Sequence, residues 1–168
     1  ILAWTTTPWT LPSNVALCVN PKETYVKIKA EDGKKYILAE ALVPSVIKGE
    51  YEIITKYIGD ELYGTEYEPL YNFAKPEKKA WYVIADNYVT LTDGTGVVHI
   101  APAFGEDDSR VGKDNDLPFV QLVDEQGNFS KETGKWAGTF VKDADKLVLK
   151  DLEDRGLLFA ALPYEHSY

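Results

Sequence analysis

A strand followed by a helix can be recognised in Gly94-Thr95-Gly96-Val97-Val98-His99-Ile100-Ala101-Pro102-Ala103-Phe104-Gly105-Glu106-Asp107-Asp108. The apolar, β-branched run at residues 97–101 predicts a strand. The acids after Gly105 are typical of a helix start, and a helix is predicted over residues 105–116. Gly94 and Gly96 permit close approach of the backbone to another group. They precede the strand, whereas the glycines of a dinucleotide-binding motif follow one, so a nucleotide-binding fold is not indicated.

Other segments are also typical of strands. Tyr25-Val26-Lys27-Ile28-Lys29 alternates apolar and charged residues, which indicates a strand with one face in water. Asp32-Gly33 then predicts a tight turn into a hairpin partner at residues 34–39, because such a dipeptide adopts positive φ angles easily. Further strands are predicted at residues 1–4, 51–58, 81–85 and 119–123.

Helices are predicted to be fewer than strands. A short helix is expected over residues 39–48, started or interrupted near Pro44. A longer one is expected over residues 142–155, where apolar residues recur at helical spacing and Gly156 follows as a stop. Together these segments predict a β-rich α+β fold with a distorted β-barrel core and a few inserted helices.

Length and composition indicate one ordinary globular domain. The chain has 168 residues, of which 45% are hydrophobic and 27% charged. The longest apolar runs, such as residues 15–19, are strand-sized and too short to span a membrane. Cys18 is the single cysteine, so it forms no disulfide within the chain and no thiolate zinc cluster. It is expected to be a small buried residue in a reducing, cytoplasmic compartment. The lack of methionine and the abrupt ends favour an insertion cut out of a larger protein.

The charge restricts how nucleic acid could bind. The formal net charge is −9. A domain that grips an RNA backbone is usually basic, because neutralisation of phosphates supplies most of the affinity. If RNA is the substrate, only its tip can enter this domain while another part of the protein holds the rest.

A hydroxyl-rich loop is predicted near the start of the chain, in Ala3-Trp4-Thr5-Thr6-Thr7-Pro8-Trp9-Thr10-Leu11-Pro12-Ser13-Asn14. Threonines at a strand end place hydroxyls on both faces of the chain, and Pro8 is expected to end the strand. Such a surface can position a water and an ester carbonyl, while the tryptophans can stack on a base. The alternative is that threonine is here only a β-former, followed by an ordinary Pro-Ser-Asn turn.

The acids after His99 also allow two interpretations. They can simply complement the dipole of the helix, or one carboxylate can point into a pocket and pair with an ammonium group. Residues 101–103 are small, which leaves the end of the strand open for a ligand. No Gly-x-Ser-x-Gly elbow is present, and His99 with these acids forms no recognised metal spacing. A serine triad and a metal site are therefore not expected.

Both motifs resemble those of isoleucyl-tRNA synthetase editing domains. The threonine-rich run and the run from Gly94 to Asp108 occur in the order of that family, and residues 87–89 and 164–168 also fit it. The valyl and leucyl relatives continue from the threonines into Arg-Pro, where this chain has Thr7-Pro8-Trp9. The catalytic body and the ATP-binding motifs of the synthetase lie outside this sequence.

The resemblance implies a single editing domain over residues 1–168, inserted into a class I aminoacyl-tRNA synthetase. It implies hydrolysis of mischarged Val-tRNA(Ile), with valyl-adenylate as a second candidate substrate. A known property of this family is that its synthetic site cannot strongly reject valine, because one methylene contributes little binding energy. The expected partners are the 3′ end of tRNA(Ile) carrying valine, valyl-adenylate and the remainder of the synthetase, with no membrane. No cofactor is expected in this domain, although the parent enzyme uses ATP and Mg.

The same resemblance implies roles for individual residues. Catalysis is expected to involve Thr5, Thr6 and Asp108, with Asp108 holding the substrate α-ammonium and His99 forming a wall that isoleucine strikes. Asp107 is expected to point away from the pocket, toward solvent or the helix cap. Attack is expected from a positioned water assisted by the ribose hydroxyl, since no residue is an evident general base. The predicted substrate-binding residues are Thr7, Trp9, Asn14, Gly96, His99 and Ala101.

Two alternatives make different predictions for the structure. A non-catalytic β-rich module for RNA or a partner protein predicts that Thr5, Thr6 and Asp108 are scattered. A degenerate editing domain would bind but not hydrolyse, and the intact threonine run with Asp108 argues against it. The editing interpretation predicts that residues 5–7 and 99–108 line one pocket, as a shared ligand site requires.

Overall fold

The computed structural model describes residues 1–161, and the predicted family ending at residues 164–168 lies outside the described part. It contains six strands and three α-helices in that part. In chain order they are β1 (Ala16–Val19), β2 (Thr24–Ala30), β3 (Lys35–Ala39), α1 (Val43–Val46), β4 (Tyr51–Ile58), β5 (Tyr82–Ala85), β6 (Val97–Ile100), α2 (Glu106–Asp114) and α3 (Val141–Asp154). Short 3-10 helices lie at Pro8–Ser13, Glu40–Leu42, Gly59–Leu62, Pro102–Phe104 and Lys131–Trp136.

The strands form two three-stranded sheets. In the first, β1 lies between β5, to which it is parallel, and β6, to which it is antiparallel, so that Leu17 faces both Val83 and His99. In the second, β2 lies between β3 and β4, and both pairings are antiparallel. Both sheets are open, so the fold is mixed α and β as predicted, but the distorted barrel is not confirmed.

The first sheet is the middle layer of the domain. Alternate residues of β1 point to opposite faces. Ala16 and Cys18 pack with Val111 of α2, whereas Leu17 and Val19 pack in the core that includes Tyr25 of the second sheet. The predicted burial of Cys18 is confirmed. A third core joins α3 to the 3-10 helix Pro8–Ser13. The segment before β1 is thereby held against α3.

Several predicted elements are confirmed. β2, the hairpin turn with Gly33 at φ 81°, β4, β5 and β6 lie where the patterns indicated. α2 and α3 do too, and Gly156 follows α3 with φ 72°, the left-handed conformation that favours glycine after a helix. The short helix predicted at residues 39–48 is instead divided into Glu40–Leu42 and α1, with Pro44 in the first turn of α1.

Two predicted strands are wrong. Residues 119–123 form only a single bridge, between Val123 and Phe129, although Val120 and Leu122 are buried. The segment is a loop whose alternate side chains, Val120 and Leu122, point into the core. The side-chain oxygen of Gln121 accepts the backbone N–H of Val123. The run leading into the threonines also forms one bridge only, between Trp4 and Val98. Pro8 begins a 3-10 helix there and does not end a strand. Within residues 1–161, no helix combines the length and the apolar character needed to cross a membrane.

Candidate functional site

A cavity of about 240 Å³ lies where the two motifs meet. Its walls come from the segment before β1, the end of β6 and the start of α2. The lining residues are Trp4, Thr5, Thr6, Thr7, Thr10, Tyr88, Val98, His99, Phe104, Asp107 and Asp108. The predicted convergence of residues 5–7 with His99 and Asp108 is therefore confirmed, and the scattering expected of a non-catalytic module is not found.

The threonine loop is held by its own hydroxyls. Thr5 Oγ1 accepts the backbone N–H of Thr7 at 3.0 Å, and the hydroxyl of Thr10 donates to the carbonyl of Thr7 at 2.8 Å. Thr7 Oγ1 lies 3.3 Å from Thr10 Oγ1. Local bonds of this kind compete with a strand ladder, which explains why the loop is irregular. They leave a tight turn that presents three hydroxyl-bearing residues to the cavity.

His99 is fixed in one tautomer by its partners. The side-chain nitrogen of Asn14 donates to the carbonyl of Ala16 at 2.8 Å, which identifies the orientation of the amide. The same nitrogen lies 3.0 Å from His99 Nδ1, so Nδ1 accepts. The proton of a neutral imidazole is then on Nε2, which donates to Thr10 Oγ1 at 2.8 Å.

The buried ring of His99 is neutral. Burial lowers its pKa from 6.5 to about 4, because the charged imidazolium loses its hydration. A proton on Nδ1 would also face the amide N–H of Asn14, which has no acceptor to offer there. Since both ring nitrogens are occupied by protein, His99 has only carbon atoms left for a ligand. It can act on a ligand by its bulk, but it cannot take up or donate a proton in this arrangement.

Asp108 lies in the first turn of α2 and reaches back to the end of β6. Its Oδ2 accepts the N–H of the buried Ala101 at 2.9 Å, which ties the strand to the helix. Partial burial is the largest cause that raises the pKa of this carboxyl, and the neighbouring charge of Asp107 adds to it. Among the described residues Asp108 forms no ion pair. It is a half-buried carboxylate at the cavity wall, suited to an incoming cation.

Asp107 differs in part from its prediction. It is exposed to solvent, as expected, but it also borders the cavity. A regular helix turns neighbouring residues by about 100°, which at the open end of the cavity still leaves Asp107 on the rim.

Four predicted binding residues do not line the cavity. Asn14 and Ala101 reach it through His99 and Asp108, to which they are hydrogen bonded. The ring of Trp9 packs edge-on against Phe104, and the backbone N–H of Trp9 donates to the Asp145 carboxylate of α3 at 2.9 Å. Gly96 serves packing, because with φ 79° a Cβ there would lie 2.6 Å from the Cβ of Ala39.

The cavity lining also includes residues outside the predicted catalytic and substrate-binding set. Tyr88 lies in a run noted only for its family resemblance, and its ring packs under the guanidinium of Arg110 at 5.7 Å. Phe104 follows the strand end in the second motif. Trp4 packs on Gly94, where a Cβ would lie 2.2 Å from the indole ring, so only glycine fits. Within residues 1–161, no group of three His, Cys, Asp or Glu side chains is placed to hold a metal ion.

The sequence is similar to one segment of isoleucine–tRNA ligases. It is 51% identical over all 168 residues to the isoleucine–tRNA ligase of Clostridium novyi (strain NT), and it spans 16% of the length of that protein. It is 48% identical to the cytoplasmic isoleucine–tRNA ligase of Mus musculus, over the whole chain and 14% of that relative. No protein-family model matches the chain.

The fold is shared with solved editing domains of leucyl-tRNA synthetases. The crystal structure of GlLeuRS-CP1 has a TM-score of 0.74 with 18% identity, covering 98% of this chain and 83% of that one. The editing domain of the P. knowlesi cytosolic leucyl-tRNA synthetase has a TM-score of 0.67 with 16% identity, covering 91% and 81%.

Proposed function

Because the chain belongs to the isoleucine–tRNA ligase family, of whose members it matches one segment, we propose that it hydrolyses mischarged Val-tRNA(Ile). The substrate would be the aminoacyl ester at the 3′ end of the tRNA, and valyl-adenylate is a second candidate. The products would be valine and free tRNA. The reaction would serve as a second sieve that removes what the synthetic site fails to reject.

The observation that carries this proposal is the convergence of a hydroxyl-lined loop and a half-buried carboxylate on one small cavity. At about 240 Å³ the cavity is below the range of about 300–1,000 Å³ found for drug-sized ligands. It suits an amino-acid side chain with its ester better than a length of RNA. The net charge of −9 fits this interpretation, since only the tip of the tRNA would enter.

Asp108 supplies the charge that an aminoacyl ester requires. Every such ester carries a free α-ammonium group, and Asp108 is the half-buried carboxylate in the cavity wall. A charge-assisted bond from the ammonium would fix one end of the substrate. The ester carbonyl would then lie toward the hydroxyls of Thr5, Thr6 and Thr7, which line the same cavity.

His99 sets the size of the amino acid by steric overlap. Its carbon edge is the only part of the ring left for a ligand, because both nitrogens are bonded to Thr10 and Asn14. A rigid apolar wall admits valine and clashes with the extra methylene of isoleucine. Discrimination by overlap of this kind does not require any change in protonation.

The attacking water is positioned and not deprotonated by a side chain. His99 cannot act as a base while its Nδ1 accepts from Asn14, and Asp108 is engaged with the ammonium. The threonine hydroxyls can hold the water near the carbonyl and donate to the developing oxyanion. The neighbouring ribose hydroxyl of the substrate can relay the proton to the leaving oxygen, so positioning supplies much of the acceleration.

The partners follow from the reaction. The remainder of the synthetase would hold the body of tRNA(Ile) and deliver its 3′ end, and ATP with Mg would act only in that remainder. A cytoplasmic location is inferred together with this role.

The test is deacylation of preformed Val-tRNA(Ile) by the full-length synthetase, with Ile-tRNA(Ile) measured in parallel. We expect the enzyme to release valine much faster than the enzyme-free control does. We expect isoleucine to be released no faster than in that control. A non-catalytic module would bind both tRNAs and release neither amino acid faster than the enzyme-free control.

A further inference from the structure

We propose that Tyr67, which lies outside the cavity lining, is a positioning residue that sets the size limit of the cavity by acting on His99 through Asn14. This inference rests on the proposed editing function and identifies a specificity determinant for it. Tyr67 lies in the loop before β5, partly buried against the core between the two sheets. Nothing in its local sequence suggests a link to the threonine loop.

A continuous hydrogen-bond chain joins Tyr67 to the cavity wall. The hydroxyl of Tyr67 donates to Asn14 Oδ1, and the amide nitrogen of Asn14 donates to His99 Nδ1 at 3.0 Å. His99 Nε2 in turn donates to Thr10, whose hydroxyl donates to the carbonyl of Thr7 at 2.8 Å. Each donor and acceptor in this chain is used in one direction only. The chain therefore has a single proton arrangement, and Tyr67 is its first donor.

The side chain and the backbone of Asn14 are held by two residues that are themselves hydrogen bonded to each other, Tyr67 and Trp81. The backbone N–H of Tyr67 donates to the carbonyl of Trp81 at 3.1 Å, and the indole N–H of Trp81 donates to the carbonyl of Asn14 at 3.0 Å. Burial raises the pKa of Tyr67 above its usual value, so its hydroxyl remains a donor. Without that hydroxyl, Asn14 Oδ1 loses its donor, and the amide keeps only the bonds of its nitrogen to Ala16 and His99. The amide is then fixed through its nitrogen alone, so the His99 ring has a less firmly held partner.

The experiment is Tyr67→Phe in the full-length synthetase, with single-turnover deacylation of Val-tRNA(Ile) and Ile-tRNA(Ile). Phenylalanine keeps the ring in the core and removes only the hydroxyl. We expect the deacylation of Ile-tRNA(Ile) to rise by roughly three- to ten-fold relative to that of Val-tRNA(Ile), as loss of one net hydrogen bond predicts. Partial unfolding would slow both reactions, so a gain on the isoleucine ester separates positioning from a merely structural role.

A matched control is Tyr71→Phe. Tyr71 is also partly buried, and its hydroxyl donates to a side-chain oxygen, Asp151 Oδ2, at 2.8 Å. It does not line the cavity. We expect the ratio of the two deacylation rates to be unchanged in this variant. The same shift in both variants would show that any lost tyrosine hydroxyl loosens the domain, and would overturn the proposal.

A double-mutant cycle tests whether Tyr67 acts through His99. In a His99→Ala background the wall is already absent, so adding Tyr67→Phe should leave the ratio of the two rates unchanged. Independent, multiplicative effects would overturn the proposal, as would a wild-type ratio in the single variant. If the wild-type enzyme itself fails to release valine, the editing function is wrong, which is a different result from failure of the Tyr67 inference.

Discussion

Asp108→Asn tests the ammonium anchor with little change in shape. The carboxylate of Asp108 has one oxygen bonded to the N–H of Ala101 and no ion pair within residues 1–161. An asparagine amide oxygen can still accept that N–H, so the hydrogen bond that joins the end of β6 to α2 is kept. Only the negative charge is removed. Asp108→Ala would remove both, and would leave the N–H of fully buried Ala101 without an acceptor.

The magnitude follows from the environment of the carboxylate. Charge-assisted pairing to a partly desolvated ammonium contributes roughly 1.5–3 kcal/mol. At about 1.4 kcal/mol per factor of ten, this predicts that Asp108→Asn slows deacylation of Val-tRNA(Ile) by roughly 10- to 150-fold. Asp108→Ala should show the same loss of rate. It should also lower the free energy of unfolding by about 1–3 kcal/mol, because the buried N–H of Ala101 is left without an acceptor.

Acid pH should affect the wild-type enzyme in the same way as the substitution. The pKa of Asp108 is raised mainly by burial, so its anion is lost at a higher pH than that of an exposed aspartate. Deacylation of Val-tRNA(Ile) should therefore decline as the pH falls through that raised pKa. Asp108→Asn should lack this decline, because its side chain does not titrate.

The assay is valine release from preformed Val-tRNA(Ile), with isoleucine activation measured as a check that the synthetase is intact. Glu106→Gln is the matched control, since Glu106 is an exposed acid in the same helical turn that does not line the cavity. Asp107→Asn, at the rim, should have a small effect. If Asp108→Asn deacylates at the wild-type rate, the ammonium is bound elsewhere and the site assignment is wrong.

Three further predictions concern the walls of the cavity. His99→Ala should increase deacylation of Ile-tRNA(Ile), and continued protection of this ester would mean that other residues form the wall. The ratio of Val-tRNA(Ile) to Ile-tRNA(Ile) deacylation should be constant between about pH 5.5 and 8, because His99, with its pKa lowered to about 4, stays neutral throughout; an inflection near the ordinary histidine value would contradict this. Asp145→Ala should slow valine release by about three- to ten-fold, because it removes the acceptor of the backbone N–H of Trp9, in the 3-10 helix that directly follows Thr5, Thr6 and Thr7. Asp143→Ala, an exposed acid on the same helix, should leave the rate unchanged.

The parts of the fold that depend on local pattern were predictable. α3 follows from apolar spacing with Gly156 after it, and β4 follows from a β-rich run. The strand predicted at residues 119–123 fails for a physical reason, since alternation of buried side chains does not specify a backbone partner. The threonine run fails as a strand because its hydroxyls satisfy the nearby backbone and replace the ladder. An open sheet and a closed barrel also have the same local pattern, so the sequence does not distinguish them.

The candidate site was predictable where a motif carried it. Thr5, Thr6, Thr7, His99 and Asp108 were selected from two runs and line the cavity. The other residues selected from the same runs do not line it, namely Trp9, Asn14, Gly96 and Ala101. Two residues that orient the site were not selected, because Tyr67 and Asp145 act from distant segments that contain no motif. Such partners are recognised only when tertiary structure brings a donor and an acceptor together.

The central position of β1 makes the cavity depend on contacts between segments that are distant in sequence. This strand follows directly on the threonine segment, and its partners are distant in sequence: Ala16 faces Tyr82 on one side and Ile100 on the other. A chain emerging from the ribosome therefore exposes the threonine segment long before β5, β6 and Asp108 exist to complete the walls. Contacts of such large sequence separation form slowly. The complete cavity is thus absent from any nascent or truncated chain that ends before α2, because such a chain lacks Asp107 and Asp108.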